Sequence, residues 1–192
     1  MKGRWQVVMV IILVVVLPVA ADPPKPIPWD APVVVKSMFT PDLGMLDSER
    51  DEYATNLSIL AANQVAKSQA SPQALAEARR LLGLALQLSP RNKRALVTNY
   101  QLTKGVMPEV TGGNYSPQVF GRLLLTRGQV LERQGGEENK RLARYFIHLA
   151  AILDPKNEDA VYASEVQRLD HGEIDWSVVT NGPPPDTGRK NP

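Results

Sequence analysis

Residues 78–95 read ARRLLGLALQLSPRNKRA, and residues 143–160 read ARYFIHLAAILDPKNEDA. Laid over one another at an offset of 65 residues, the stretches match at seven positions that set helix packing and the corner: Ala78 with Ala143, Leu82 with the similar Ile147, Ala85 with Ala150, Leu88 with Leu153, Pro90 with Pro155, Asn92 with Asn157, and Ala95 with Ala160. The two alanines of each copy lie two turns apart on one helix face with a larger apolar residue between them, so a second helix can approach that face closely. Pro90 and Pro155 follow the last apolar residue of their helices. Lacking an amide proton and fixed in φ, they stop the ladder there. Asn92 and Asn157 are placed to cap the helix that follows, with Ala95 and Ala160 in its first turns. Each block therefore reads helix, tight corner, helix. A unit of this kind used twice implies stacked helical hairpins, an architecture that generally binds other proteins rather than catalysing reactions.

At these residues the chain resembles the tetratricopeptide repeat, a helical hairpin of 34 residues. With the family's late proline on Pro90, its small residues fall on Ala78 and Ala85 and its large one on Leu82, while Ala62, Val65 and Ala66 take the packing positions of the preceding helix. From Pro155 the same placement gives Ala143, Ile147 and Ala150. The helix before it, however, supplies Arg127, Val130 and Leu131 where the family favours an aromatic, a leucine and a glycine or alanine. The resemblance covers roughly residues 59–105 and 124–172, with the second copy degenerate in its first helix. It implies an all-α solenoid of stacked antiparallel hairpins whose first helices line a concave groove for an extended peptide or a helix. On that geometry the groove is lined by Asn63, Lys67, Arg94, Val97, Gln101, Asp159, Tyr162 and Val166. Their mixed charge favours neither an acidic nor a basic peptide.

Working outward, start and stop signals delimit six helices: Ser48 to about Lys67, Pro72 behind its cap Ser71 to Leu88, Asn92 to Lys104, Pro117 behind Ser116 to about Arg133, Glu137 to Leu153, and Asn157 to Asp170. Gly135 and Gly136 turn the chain, and Gly172 is the expected left-handed terminator of the sixth helix. The third and sixth helices open like the next repeat, or serve as lids on the apolar face of each hairpin. The 125 residues from Ser48 to Gly172 suffice for one core. Ahead of them, residues 22–47 hold Pro23, Pro24, Pro26, Pro28 and Pro32 and read as an extended arm. Its first half reads as a linker, whereas Trp29, Val33, Val34, Val35, Met38 and Phe39 are apolar enough to dock. Residues 173–192, with Pro183, Pro184, Pro185 and Gly188, read as a disordered tail. Within it, Ile174 and Trp176 are spaced to fold back as a structural cap.

The N-terminus carries a separate message. Lys2 and Arg4 precede an apolar run from Val7 to Leu17, and Val19, Ala20 and Ala21 are the small residues of a peptidase site, so residues 1–21 read as an export signal cleaved after Ala21. The alternative is an uncleaved anchor. Trp5 to Ala21 is 17 residues, at the lower limit for a helix crossing a hydrocarbon core of ~30 Å. The expected address is periplasmic or extracellular, with contact to the inner membrane only if residues 5–21 are retained. Without Lys2 and Arg4 the chain's 22 basic and 20 acidic residues become 20 against 20, which lacks the basic field of a general nucleic-acid binder. The absence of cysteine excludes disulfides, thiolate metal sites, thiol catalysis and lipoprotein attachment.

Candidate chemistry is thin, and no catalytic, metal or cofactor residue is assigned. His148 lies among Ile147, Leu149 and Ile152 and reads as packed; His171 sits at a helix end, where an imidazole meets helix carbonyls. Asp170, His171, Glu173 and Asp175 lack cage-like spacing. Gly112, Gly113 and Asn114 lack the lysine and hydroxyl residue of a phosphate loop, and Ser58, Ser116 and Ser164 sit in no nucleophile elbow. The reading is therefore an exported, non-enzymatic interaction or scaffolding module of a bacterial cell envelope, its partner another protein or peptide and not nucleic acid. A structural subunit that packs against copies of itself is the alternative.

Overall fold

A computed structural model of the chain describes residues 26–182, and the expected signal and the last ten residues lie outside it. The described residues form seven helices and no strand: α1 (Asp47–Lys67), α2 (Pro72–Leu88), α3 (Lys93–Thr103), α4 (Pro117–Gln134), α5 (Glu137–Leu153), α6 (Glu158–His171) and α7 (Ser177–Thr180). The fold is all-α.

Local chemistry sets the boundaries. Ser71, Asn92, Ser116 and Asn157 each accept a hydrogen bond from the amide three residues on, at 3.3, 3.0, 3.3 and 3.2 Å. α1 is the exception: it opens at Asp47, ahead of the expected Ser48, and has no side-chain cap. Asp47 and Glu49 in its first turn offset the helix dipole instead. Gly135 and Gly136 both take positive φ, at 70° and 84°, which closes the α4–α5 turn without strain.

α1 pairs with α2, and α4 with α5, as the two closely packed hairpins; α3 rests on α1 and α2, α6 on α5, and α7 on α2. The recurring small residues are where the helices meet. Ala78, Leu82, Ala85, Ala143, Ile147 and Ala150 are fully buried, while Pro90 and Pro155 stand exposed at the corners. Gly128 of α4 comes so close to α5 that a Cβ there would stand 2.7 Å from Ile147 Cγ1 and 3.3 Å from the Ala143 carbonyl. The first corner is tied back as well. The buried Asn92 carboxamide donates to Asp51 and Thr55 of α1 at 2.8–3.1 Å, and Ser89 donates to the same Asp51 carboxylate at 2.8 Å.

Between the hairpins the contact is made by side chains. The Tyr53 ring of α1 stacks on Phe146 of α5 with centroids 5.0 Å apart, and tilts against Phe120 of α4 at 5.8 Å. Arg127 of α4 reaches Glu49 of α1 and the Gly44 carbonyl, both at 2.6 Å. Arg127 thus fastens one block to the other.

The arm is docked along the described part of its length, first half included. Trp29 donates to Asn99 of α3, Val33 pairs with the Thr180 carbonyl, Ser37 and Met38 bond Gln87 of α2, and Thr40 and Gly44 bond Glu138 and Asn139 of α5. Phe39, Leu43 and Met45 are buried in the same core as both hairpins. The tail is also corrected over residues 173–182. Ile174, Trp176 and Val179 supply enough apolar surface for α7 to settle on α2, with Val179 fully buried.

Candidate functional site

Because the hairpins touch through a few aromatic side chains, a cleft of about 550 Å³ stays open between them. One wall is α1, offering Asn56, Ile59, Leu60, Asn63, Gln64 and Lys67; the α2 side carries Glu77, Arg80 and Leu81; the opposite wall is Phe120 of α4 with His148, Leu149, Ile152 and Leu153 of α5. Trp176 and the loop 110–113 complete it. A space of this size with apolar walls and a few polar groups is the ordinary form of a binding site.

Trp176 bridges the two blocks. Its ring packs on Tyr145 at 5.0 Å and His148 at 6.1 Å, both on α5, and the Arg80 guanidinium of α2 lies 6.0 Å from its centroid. Burial lowers the His148 imidazole, against the pull of Glu173, which favours its neutral form. Glu77 is held by hydrogen bonds from Gln64 and Gln73. The Tyr53 phenol, donating to the Leu123 carbonyl at 3.3 Å, is pushed up to about 12 by burial first and by Glu49 next. Among the described residues no group of three histidines or acids is arranged to hold a metal ion. Ser58 donates to the Ala54 carbonyl at 2.7 Å, and Ser116 caps α4, so these hydroxyls are occupied structurally.

Of the eight residues expected in a groove, only Asn63 and Lys67 line the cleft. Arg94 is adjacent, donating to the Thr111 hydroxyl at 2.6 Å. Val97 is exposed on α3, with Gln101 on the same helix, whereas Asp159, Tyr162 and Val166 lie on α6, which packs on α5. The eight therefore do not share the cleft. Between α1 and α3 the loop that leads to α4 intervenes. It lays Thr111 against α1, where the Asn63 carboxamide takes both backbone groups of that residue, donating to its carbonyl at 2.8 Å and accepting from its amide at 2.9 Å. The chain itself thus occupies the face between α1 and α3. Sequence reasoning missed Leu60, Arg80, Leu81, Phe120 and Ile152 as cleft residues, and placed Trp176 only as a possible cap.

Comparison with protein-family models, curated proteins and solved structures returns no match.

Proposed function

We propose that this chain is an exported, non-catalytic interaction or scaffolding module of a bacterial cell envelope, built on tetratricopeptide-like hairpins, whose protein partner enters the cleft between them. The observation that carries this is the cleft itself, about 550 Å³ with Ile59, Leu60, Phe120 and Ile152 among its lining residues. Ile152 keeps 58% of its surface exposed, an apolar side chain left for a partner to cover. The resemblance is supported by the burial of Ala78, Ala85, Ala143 and Ala150, the residues that let neighbouring helices approach. Export rests on the composition of residues 1–21. No described helix is long and apolar enough to cross a membrane.

Affinity capture from envelope extracts with the wild type and with Ile152→Gln tests the reading. A defined partner retained by the first and lost by the second is expected; partners held equally by both would refute the cleft as the binding surface. N-terminal sequencing of the envelope-localised protein tests the address, since a chain beginning at Met1 retains residues 5–21 as an anchor. A second reading, self-assembly into a structural subunit, is favoured by one observation: Tyr162 and Leu169 of α6 are about three-quarters exposed. A closed oligomer in solution that covers these residues would favour it.

A further inference from the structure

The charges at the rim of the cleft point to the chemistry of what enters it, on the premise that the cleft is the binding surface. Two cations line it, Lys67 from α1 and Arg80 from α2, and among the described residues neither has an ion-pair partner. The acid between them, Glu77, is already engaged by the carboxamides of Gln64 and Gln73. Arg80 also lies near the Trp176 ring, an arrangement that leaves guanidinium N–H groups available to a planar carboxylate.

The spacing follows from helix geometry. Gln64 of α1 bonds Glu77 of α2 across an antiparallel pair. Lys67 stands one turn beyond the first and Arg80 one turn beyond the second, in opposite directions. At 1.5 Å per residue the two cations are separated by about 9 Å along the cleft. An extended chain advances ~3.3 Å per residue and spans that in about three. The lining amides decide between a peptide and a hydrocarbon chain. Asn56 and Gln64 spend their amide N–H groups on Glu52 and Glu77, but among the described residues their carboxamide oxygens accept no hydrogen bond; an acyl chain would desolvate these oxygens without return, whereas a peptide N–H can donate to them. Asn63 already holds the backbone of Thr111 by both of its polar groups.

We propose that the cleft takes a non-helical peptide segment carrying a large apolar side chain flanked by two acidic ones about three residues apart, the apolar group entering between Leu60 and Ile152 and the carboxylates meeting Arg80 and Lys67.

The test is selection of a random twelve-residue phage library on the full chain, followed by anisotropy titration of the winning peptide. Acid-rich, apolar winners are expected. Their affinity falls tenfold or more when the acids are changed to lysine, on Lys67→Glu with Arg80→Glu, and at raised salt. Both substituted side chains are exposed, and unchanged helical circular dichroism confirms that the variant folds. Winners without an excess of acid, or binding that survives charge reversal, overturn the proposal; if Ile152→Gln still weakens those winners, the cleft itself stands as the binding surface. Winners indifferent to Ile152→Gln, or no winners at all, overturn both. Oleate binding to a chain that selects no peptide would instead make the cleft a lipid site and overturn the proposal.

Discussion

Gly83 lies where α7 sits down on α2, and replacing it with alanine sets two known effects against each other. A Cβ at position 83 would stand 2.7 Å from the Val179 carbonyl oxygen and 3.1 Å from Thr180 Cγ2, well inside van der Waals contact with backbone that cannot rotate away. α2 itself gains about 1 kcal/mol from the exchange, because glycine in a helix interior loses more backbone freedom on folding. α7 must lift, and the fully buried Val179 side chain contributes about 1.5–3 kcal/mol where it lies. The bonds from Val33 and Arg79 to the Thr180 carbonyl, at 2.8 and 3.3 Å, weaken with it. The net expectation is destabilisation by about 1–2 kcal/mol, a fall in Tm of about 2–8 °C for a chain of this size. Gly121→Ala is the control. It receives the same benefit to its helix, but its Cβ would meet nothing nearer than the Ala150 carbonyl at 3.3 Å. The Ala150 carbonyl need give by only a few tenths of an ångström, so Gly121→Ala should cost less stability than Gly83→Ala. Calorimetry gives the two melting points, and hydrogen exchange reports on the amides of residues 177–181. The reasoning is refuted if Gly83→Ala melts with or above Gly121→Ala while those amides keep their protection.

Three further outcomes follow from the same contacts. Ala85→Leu or Ala150→Leu overfills a fully buried position and should cost about 1–3 kcal/mol by denaturant unfolding; wild-type midpoints for both would mean the helices have room to spare. Asn63→Ala removes both bonds to the Thr111 backbone, each worth about 1 kcal/mol net, so exchange of the Thr111 amide should quicken about tenfold or more, and an unchanged rate would show that the loop is held by something else. The Tyr53 phenol is raised from 10.0 to about 12, so folding favours its neutral form. Its contribution to stability is complete below pH ~10 and is lost as the pH climbs from there through about 12. Tyr145, by burial, and Tyr115, by its bond to Glu52, are raised too, so the late-ionising absorbance at 295 nm should shrink by one tyrosine in Tyr53→Phe, and an unaltered curve would place the shift elsewhere.

The six long helices were legible because what starts and stops them is local. A serine or asparagine whose side chain meets an amide three residues on, a proline after the last leucine and paired glycines at a turn act within a few residues of chain, so the string of residues suffices. The burial of Ala78, Ala85, Ala143 and Ala150 was legible in the same way, from side-chain size at helical spacing.

What the sequence by itself determined is therefore the six long helices, their corners and the packing face that carries the paired alanines of α2 and α5. The tertiary structure alone decided how the two blocks face each other, through Tyr53 on Phe146, Arg127 on Glu49, and an arm and α7 that join a common core. It also decided that Thr111 covers the face between α1 and α3, and that Arg80, Ile152 and Trp176 come to share one cleft. These residues stand 72 and 24 positions apart in the chain, and nothing in their neighbours encodes the meeting. Long-range contacts are selected by the free energy of the whole packed arrangement, in which the entropy of closing a loop is offset only once both partners are already in place.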